Sequence, residues 1–369
     1  MRIALFTIFR VPNFGSVLQA FATQHVLEQL GHECVVVDYR ERRSLHEMFR
    51  QLFTPYYIAC KLGIKPQFRK PGQLNRFIRK NFHLSKKYKG LDSLRQENWH
   101  SYDAVVVGSD QVWNARYHGK DNIYLLPFIK SDIDCYSLAS SFALKEIPKD
   151  YQEEYREALS KFKAISVRES NGVRLVESLK IGKSAQLVLD PTLWLSGKEW
   201  LALFNSSRKA SKEPYILLYM WTYAFEPRPY IYDLLRYWQG KLGECKIIAL
   251  EGSPKKRESG LKIEDVADSS IPKYMELFAN ASLVVTSSFH GTAFALNFAR
   301  PLLSIVPSGN GDDRQSSLLR LVGAETSIVQ INDNISKTNP YYDIEKMSNK
   351  LDEFRREALR WIVVNINRK

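Results

Sequence analysis

Residues 2–40 read "RIALFTIFRVPNFGSVLQAFATQHVLEQLGHECVVVDYR". A short apolar run rich in branched side chains is broken at "NFGS", residues 13–16. Apolar residues then recur at helical spacing, at Val17, Leu18, Phe21, Val26, Leu27 and Leu30, and Gly31 stands where a helix C-cap belongs. "ECVVVDYR" follows as a second strand. The stretch predicts a β–α–β unit. Its strands are apolar without alternation, which implies a parallel sheet covered on both faces.

Outward from this unit the pattern repeats. Strands are expected in "YDAVVVGSD", "DCYSLASSF", "KAISVRES" and "AQLVLDPT", with helices at "DYQEEYREALSKF" and "NGVRLVESLK". After Thr192, "LWLSGKEWLALFNSSRKASKEP" reads as a linker. A second alternating set begins at "YILLYMW" and continues through "CKIIALEG", "SLVVTSS" and "PLLSIVP", and "DIEKMSNKLDEFRREALRWIVVNI" predicts a long amphipathic C-terminal helix. The fold class expected is therefore α/β. Two domains are predicted, 1–197 with a basic helical insertion at about 41–100, and 198–369 carrying the long helix. Ligands of open parallel sheets sit beyond the carboxyl ends of the strands. That directs attention to a cleft between the domains lined by "IFRVPNFGS", "GSDQVWN", "VRES", "LDPT", "EGS" and "TSSFHG".

Composition narrows the class. The 369 residues are 44% hydrophobic and 25% charged, as in folded globular proteins. Cys34, Cys60, Cys135 and Cys245 form no CxxC pair, so neither a zinc ribbon nor a disulfide framework is supported, and a reducing compartment is expected. "MRIALFTIFRVPNF" reads as a first strand, not a secretory signal, and no apolar run is long enough to span a bilayer. A cytoplasmic protein, peripheral at the inner membrane face, is expected. The net charge of +13 favours anionic partners. Between Glu47 and Asp92 there is no acid but eleven Lys or Arg, including Arg50, Lys61, Lys65, Arg69, Lys70, Arg76, Arg79 and Lys80, interleaved with Phe49, Phe53, Tyr56 and Tyr57. That stretch reads either as a solvated helical insertion or as an anion-facing surface.

Several residues at strand ends are candidates for chemistry. His290 in "TSSFHGTAFALN", residues 286–297, stands where a strand gives way to a helix, and free N–H groups at a helix start suit an anion. Its alternative is a capping or packing histidine. Gly291 removes a side chain where a ligand would approach the backbone. Asn13, Gly15 and Ser16 form the turn into the first helix. No GxGxxG is present, so a dinucleotide site lacks its fingerprint. Asp110, at a strand end, is either a base or a cap. Arg168 ends an apolar strand on a guanidinium suited to carboxylate or phosphate; its alternative is an ion pair with Glu169 or another local acid. Asp190 ends a further strand, with structural and functional readings both open. Arg314, in a polar loop before a helix, is a second anion ligand. No metal cluster is evident.

Taken in order, "NFGSVLQAFATQHVLEQLGHECVVVDYR", "YDAVVVGSDQVWN", "SVRES", "LDPTLWL" and "SSFHGTAFALNFARPLLSI" resemble the polysaccharide pyruvyl transferase family across most of residues 3–325. The resemblance implies two Rossmann-like domains in a GT-B-like arrangement. It implies transfer of a pyruvyl group from phosphoenolpyruvate to a sugar, forming a ketal, with no cofactor beyond that donor. The family's histidine maps onto His290 and its strand-end arginine onto Arg168. Many members read Asp-Arg-Leu-His-Gly where this chain has Ser287-Ser288-Phe289-His290-Gly291, so Ser288 replaces an arginine expected at the donor, and Arg314 is the cation expected to substitute. The expected partners are phosphoenolpyruvate, an oligosaccharide acceptor that is lipid-linked in such pathways, and an anionic membrane surface, with no nucleic acid. A GT-B-type nucleotide-sugar glycosyltransferase is the alternative enzyme. An anion- or nucleic-acid-binding protein using residues 48–91 is the alternative of another class.

Overall fold

A computed structural model describes residues 1–41, 58, 62, 66–117, 121–130, 132–206, 213–222, 224–243, 245–251, 259–308 and 314–366. Phe49, Phe53, Tyr56, Tyr57, Cys60 and the basic residues Arg50, Lys61 and Lys65 lie outside them. The chain divides into two compact units: Met1–Tyr57, Ile78–Trp194 and Phe354–Lys369 form the first, Ile58–Phe77 and Leu195–Glu353 the second. One division falls after Trp194. Part of the basic stretch, however, groups with the second unit, and the end of the long C-terminal helix groups with the first.

The first unit holds a parallel sheet of seven strands among the described residues: β1 (Arg2–Phe6), β2 (Glu33–Arg40), β3 (Leu84–Lys89), β4 (Ala104–Val107), β5 (Asp134–Ser140), β6 (Ala164–Val167) and β7 (Ala185–Leu187). Their order is β3-β2-β1-β4-β5-β6-β7, the doubly wound order whose direction reverses between β1 and β4. Helix α1 (Phe14–Gln29) is capped by Asn13, whose Oδ1 accepts from the Gly15 and Ser16 N–H groups. It ends in a Schellman motif: Gly31 takes φ +85° and the His32 N–H reaches Leu27 O at 3.1 Å. The predicted C-cap glycine is thus where the chain needs it.

Helix α2 (Pro66–Asn81) runs from the second unit into the first. The helical insertion predicted for 41–100 gives way at 84–89 to β3, and α3 (Leu91–Arg95) is short. β3 escapes prediction because "LSKKYK" is an edge strand. Lys86, Lys87 and Lys89 are exposed on it, as edge strands that resist further pairing require. Helices α4 (Gln152–Ser160) and α5 (Ser170–Ser178) also belong to this unit.

The second unit opens with α6 (Gly197–Leu203), inside the stretch read as a linker; Ser196 and Glu199 form a capping box there and Trp200 is buried. Its sheet contains β8 (Tyr215–Tyr219), β9 (Lys246–Glu251), β10 (Ile263–Asp265), β11 (Leu283–Thr286), β12 (Leu302–Val306) and β13 (Ile328–Gln330). All pair in parallel in the order β10-β9-β8-β11-β12-β13, so this unit repeats the plan of the first, with its reversal between β8 and β11. Among the described residues its further helices are α7 (Tyr230–Lys241), α8 (Ile271–Asn280), α9 (Phe289–Asn297), α10 (Arg314–Val322) and α11 (Ile344–Asn365), the last beginning in the second unit and ending in the first. Among the described residues no helix is long and apolar enough to cross a membrane.

Candidate active site

In the first unit four of the singled-out loops converge. Ser16, in the first turn of α1, donates to Asp110 Oδ2 at 2.5 Å. Asp110 follows β4 in a left-handed conformation, φ +69°, which an aspartate tolerates better than most side chains. Its Oδ1 accepts from the Gln111 N–H at 2.8 Å and from Arg168 Nη2 at 3.4 Å. No helix starts at Asp110, so it caps a turn, and its carboxylate holds the start of α1 to the end of β4.

Arg168 follows β6, and its side chain is wholly buried. Nη1 donates to Asp190 Oδ2 at 2.6 Å and Nη1 also reaches Ser109 Oγ at 3.4 Å. Asp190 is held from its other oxygen by the Thr192 N–H and hydroxyl, at 2.9 and 2.7 Å. The expected neighbour Glu169 turns elsewhere and accepts from the Phe142 and Ala143 N–H groups. One guanidinium thus serves two buried carboxylates, Asp110 and Asp190, joining the ends of β4, β6 and β7. This geometry makes Arg168 a strut between these strand ends.

The second unit carries the remaining candidates. Ser288 is the N-cap of α9, its Oγ accepting from the Gly291 N–H at 3.4 Å. His290 lies in the first turn of that helix, 5% exposed, its ring edge-on to Phe289 with centroids 5.4 Å apart. A Cβ on Gly291 would stand 2.2 Å from Thr286 Oγ1 and 2.9 Å from Tyr219 Cδ1. The glycine therefore lets α9 close onto β11 and β8, and packing accounts for it without a ligand. Ser287 Oγ accepts from the Trp221 N–H and donates to Trp221 O, tying the ends of β8 and β11 together.

Arg314, buried, begins α10. Next to it, Gln315 Nε2 donates to Ser304 Oγ at 2.8 Å and reaches Thr292 Oγ1 at 3.5 Å, while Thr292 and Ser304 share a 2.7 Å hydrogen bond. This buried network locks the first turn of α10 to α9 and β12. Since β11 and β12 pair in parallel, His290 and Arg314 both issue from the carboxyl edge of one sheet. The candidates thus form two groups: Asn13, Gly15, Ser16, Asp110 and Arg168 in the first unit, and Ser288, His290, Gly291 and Arg314 in the second.

One residue at the same edge of the second unit is not visible in the sequence as a site residue. Lys70, counted there among the charges of the basic stretch, is 3% exposed. Its ammonium donates to Glu251 at the end of β9 and lies 5.0 Å from the Trp221 ring centroid. Burial lowers the lysine below its ordinary value, and the Glu251 carboxylate opposes that. The "EGS" loop was a sequence signal for Glu251; nothing local signals Lys70, which is 181 residues away from it. Among the described residues no group of His, Cys, Asp and Glu is arranged to hold a metal ion.

The model of the family described as polysaccharide pyruvyl transferase matches residues 13–309. No curated protein matches by sequence. Among solved structures, UDP-GlcNAc 2-epimerase from Neisseria meningitidis, bound to UDP-GlcNAc, is similar with a TM-score of 0.53 and 11% identity, covering 99% of each chain. UDP-GlcNAc 2-epimerase from Methanocaldococcus jannaschii, in complex with UDP-GlcNAc and UDP, gives 0.51 and 14%, again over 99% of each chain. At such identity the likeness concerns the fold alone, the two Rossmann-like sheets of GT-B enzymes.

Proposed function

The chain belongs to the polysaccharide pyruvyl transferase family, and on that premise we propose that it moves a pyruvyl group from phosphoenolpyruvate onto two hydroxyls of a sugar, in a surface polysaccharide or its lipid-linked precursor. The observation that carries this reading is the family match over residues 13–309, which contains the strand-end loops of both sheets from Asn13 to His290.

The reaction asks for an acid at C3 of phosphoenolpyruvate, cations for its phosphate and carboxylate, and a path for the proton of the attacking hydroxyl. Protonation of C3 makes C2 electrophilic. One sugar hydroxyl adds to C2, phosphate leaves, and the second hydroxyl closes the ketal. In this reading His290 is the acid or the phosphate ligand, seated where the N–H groups of α9 add positive potential. Arg314 supplies the guanidinium that the family carries at the position of Ser288, and Ser288 caps α9. Arg168 and Asp110 are positioning residues that act through the start of α1.

The reading extends to location. Arg76, Arg79 and Lys80 of α2 and Lys86, Lys87 and Lys89 of β3 are exposed, and such a surface is attracted to anionic lipid, where a lipid-linked acceptor would be met. Lys70, being buried, is not part of it.

The test is phosphate release from phosphoenolpyruvate with a lipid-linked oligosaccharide acceptor, scored with a mass gain on the acceptor. His290→Ala is expected to abolish turnover while leaving the circular dichroism unchanged. Turnover near that of the wild type would remove His290 from the chemistry, and nucleotide release from a nucleotide sugar instead would select the glycosyltransferase alternative.

A further inference from the structure

Lys70 is buried on α2, on the same helix face as the buried Leu74 four residues on. Beside it Arg69 pairs with Asp268 at 2.7 Å, and Phe77 meets the Phe204 ring edge-on with centroids 5.6 Å apart. These contacts hold this part of α2 on the second unit.

The Lys70 ammonium meets the ends of two neighbouring strands. It donates to Glu251, the last residue of β9, and lies 5.0 Å from the ring centroid of Trp221, just beyond β8. β9 carries an extra residue here. Leu218 pairs with Ala249 and Tyr219 with Glu251, so Leu250 forms a bulge, a device that re-aims side chains at strand ends. The Glu251 carbonyl accepts from the Met220 N–H at 3.1 Å. Asp265, at the end of β10, adds a further negative charge near the ammonium.

Trp221 connects this contact to α9 by two routes. Its N–H donates to Ser287 Oγ at 2.8 Å, and the same hydroxyl donates back to Trp221 O at 2.7 Å. Ser287 directly precedes Ser288, the N-cap of the helix whose first turn holds His290. The second route runs through rings. Trp221 stands edge-on to Tyr219 with centroids 6.4 Å apart, and Tyr219 is one of the side chains against which Gly291 closes. A main-chain clamp and an aromatic wall thus border the start of α9, and both lead to Trp221.

We infer that Lys70 is a positioning residue: it fixes Trp221 beside the end of β9, and thereby sets the first turn of α9 and the place of His290. An ammonium suits the task because a carboxylate and a ring face can hold it together. What this does to turnover rests on the transferase reading; the placement of His290 does not. With His290 as the acid and Arg314 as a donor cation, a displaced imidazole slows the chemical step and leaves donor affinity in place. A misplacement of about 1 Å can cost on the order of a hundredfold in rate.

The test uses the full chain and three variants. Lys70→Met with Glu251→Gln removes the ammonium and leaves no stranded carboxylate. Trp221→Leu keeps the Lys70–Glu251 pair and removes the ring face. Lys70→Arg keeps the charge. Phosphate release from phosphoenolpyruvate, with the lipid-linked oligosaccharide acceptor, gives kcat and KM, and urea melts give stability. The His290 ring signal in NMR, assigned by its loss in His290→Ala, reports placement. In the first two variants kcat is expected to fall at least about tenfold, with the phosphoenolpyruvate KM within about threefold of the wild type and the His290 signal shifted. Combining these substitutions is expected to add little further loss, because they act along one path. Lys70→Arg is expected to keep kcat within about threefold of the wild type. A pair that merely holds the fold moves the urea midpoint alone. Wild-type kcat and an unmoved His290 signal in the first two variants, or losses that multiply on combination, overturn the proposal. If the wild type releases no phosphate from phosphoenolpyruvate, the transferase reading fails and the His290 signal alone decides, an unmoved signal overturning the placement.

Discussion

Arg168→Met separates a strut from a ligand grip. In the wild type one buried guanidinium lies between Asp190, whose side chain is wholly buried, and Asp110, at 8%. Methionine is close in volume and unable to carry charge, so the variant leaves two carboxylates without their shared counter-ion. Removing one partner of a buried ion pair costs about 3–5 kcal/mol, against a total stability of roughly 5–15 kcal/mol for a domain. The first unit should therefore lose about a fifth or more of its stability. Urea melts followed by circular dichroism measure the loss, and hydrogen exchange places it. Faster exchange is expected at the ends of β4, β6 and β7 and in the first turn of α1, with the sheet of the second unit unchanged. A second substitution, Arg168→Met with Asp190→Asn, removes one of the stranded charges and should recover part of the deficit. If Arg168 instead grips the donor, the single variant keeps its urea midpoint and exchange pattern and loses about 1.5–3 kcal/mol of phosphoenolpyruvate affinity, the range for a hydrogen bond to a charged group. That second result would refute the strut.

Gly291→Ala is expected to destabilise the second unit by about 1–3 kcal/mol, the usual cost of overpacking, because the new methyl meets Thr286 Oγ1 at 2.2 Å; an unchanged urea midpoint with lost donor binding would show that the glycine serves a ligand instead. Co-sedimentation with vesicles tests the basic face. Binding should require anionic lipid, fall with added salt, and drop when Arg76, Arg79 and Lys80 become Glu, whereas equal recovery in the soluble fraction with neutral and anionic vesicles at low salt would leave that face simply solvated.

What the sequence discloses follows from the range of the interaction concerned. The central strands are legible because a parallel strand covered on both faces must be apolar at every position, as β4 with "AVVV" and β11 with "LVVT" are. Edge strands lose that signature. β3 alternates lysines with a buried tyrosine, and β10 and β13 have three residues each, so nothing in their composition distinguishes them from loops. The cap at Asn13 and the stop at Gly31 are local and can be read directly. The partners of Arg168 are not local. The sequence places a guanidinium at a strand end, and an adjacent glutamate is the natural suspect, yet Glu169 lies on the other side of the extended backbone and binds two N–H groups. The carboxylates that count are 58 and 22 residues away, and only the strand order β4-β5-β6-β7 brings them in. Lys70 makes the same point from the opposite direction. Eleven basic residues without an acid look like one solvated surface, but a helix buries one face, and Lys70 falls on it. Glu251 and the face of Trp221 make an ammonium buried there tolerable. Neither partner can be assigned to it before the fold is known. Charge composition therefore fixes how many cations the chain holds, and topology decides which of them are spent on holding the fold.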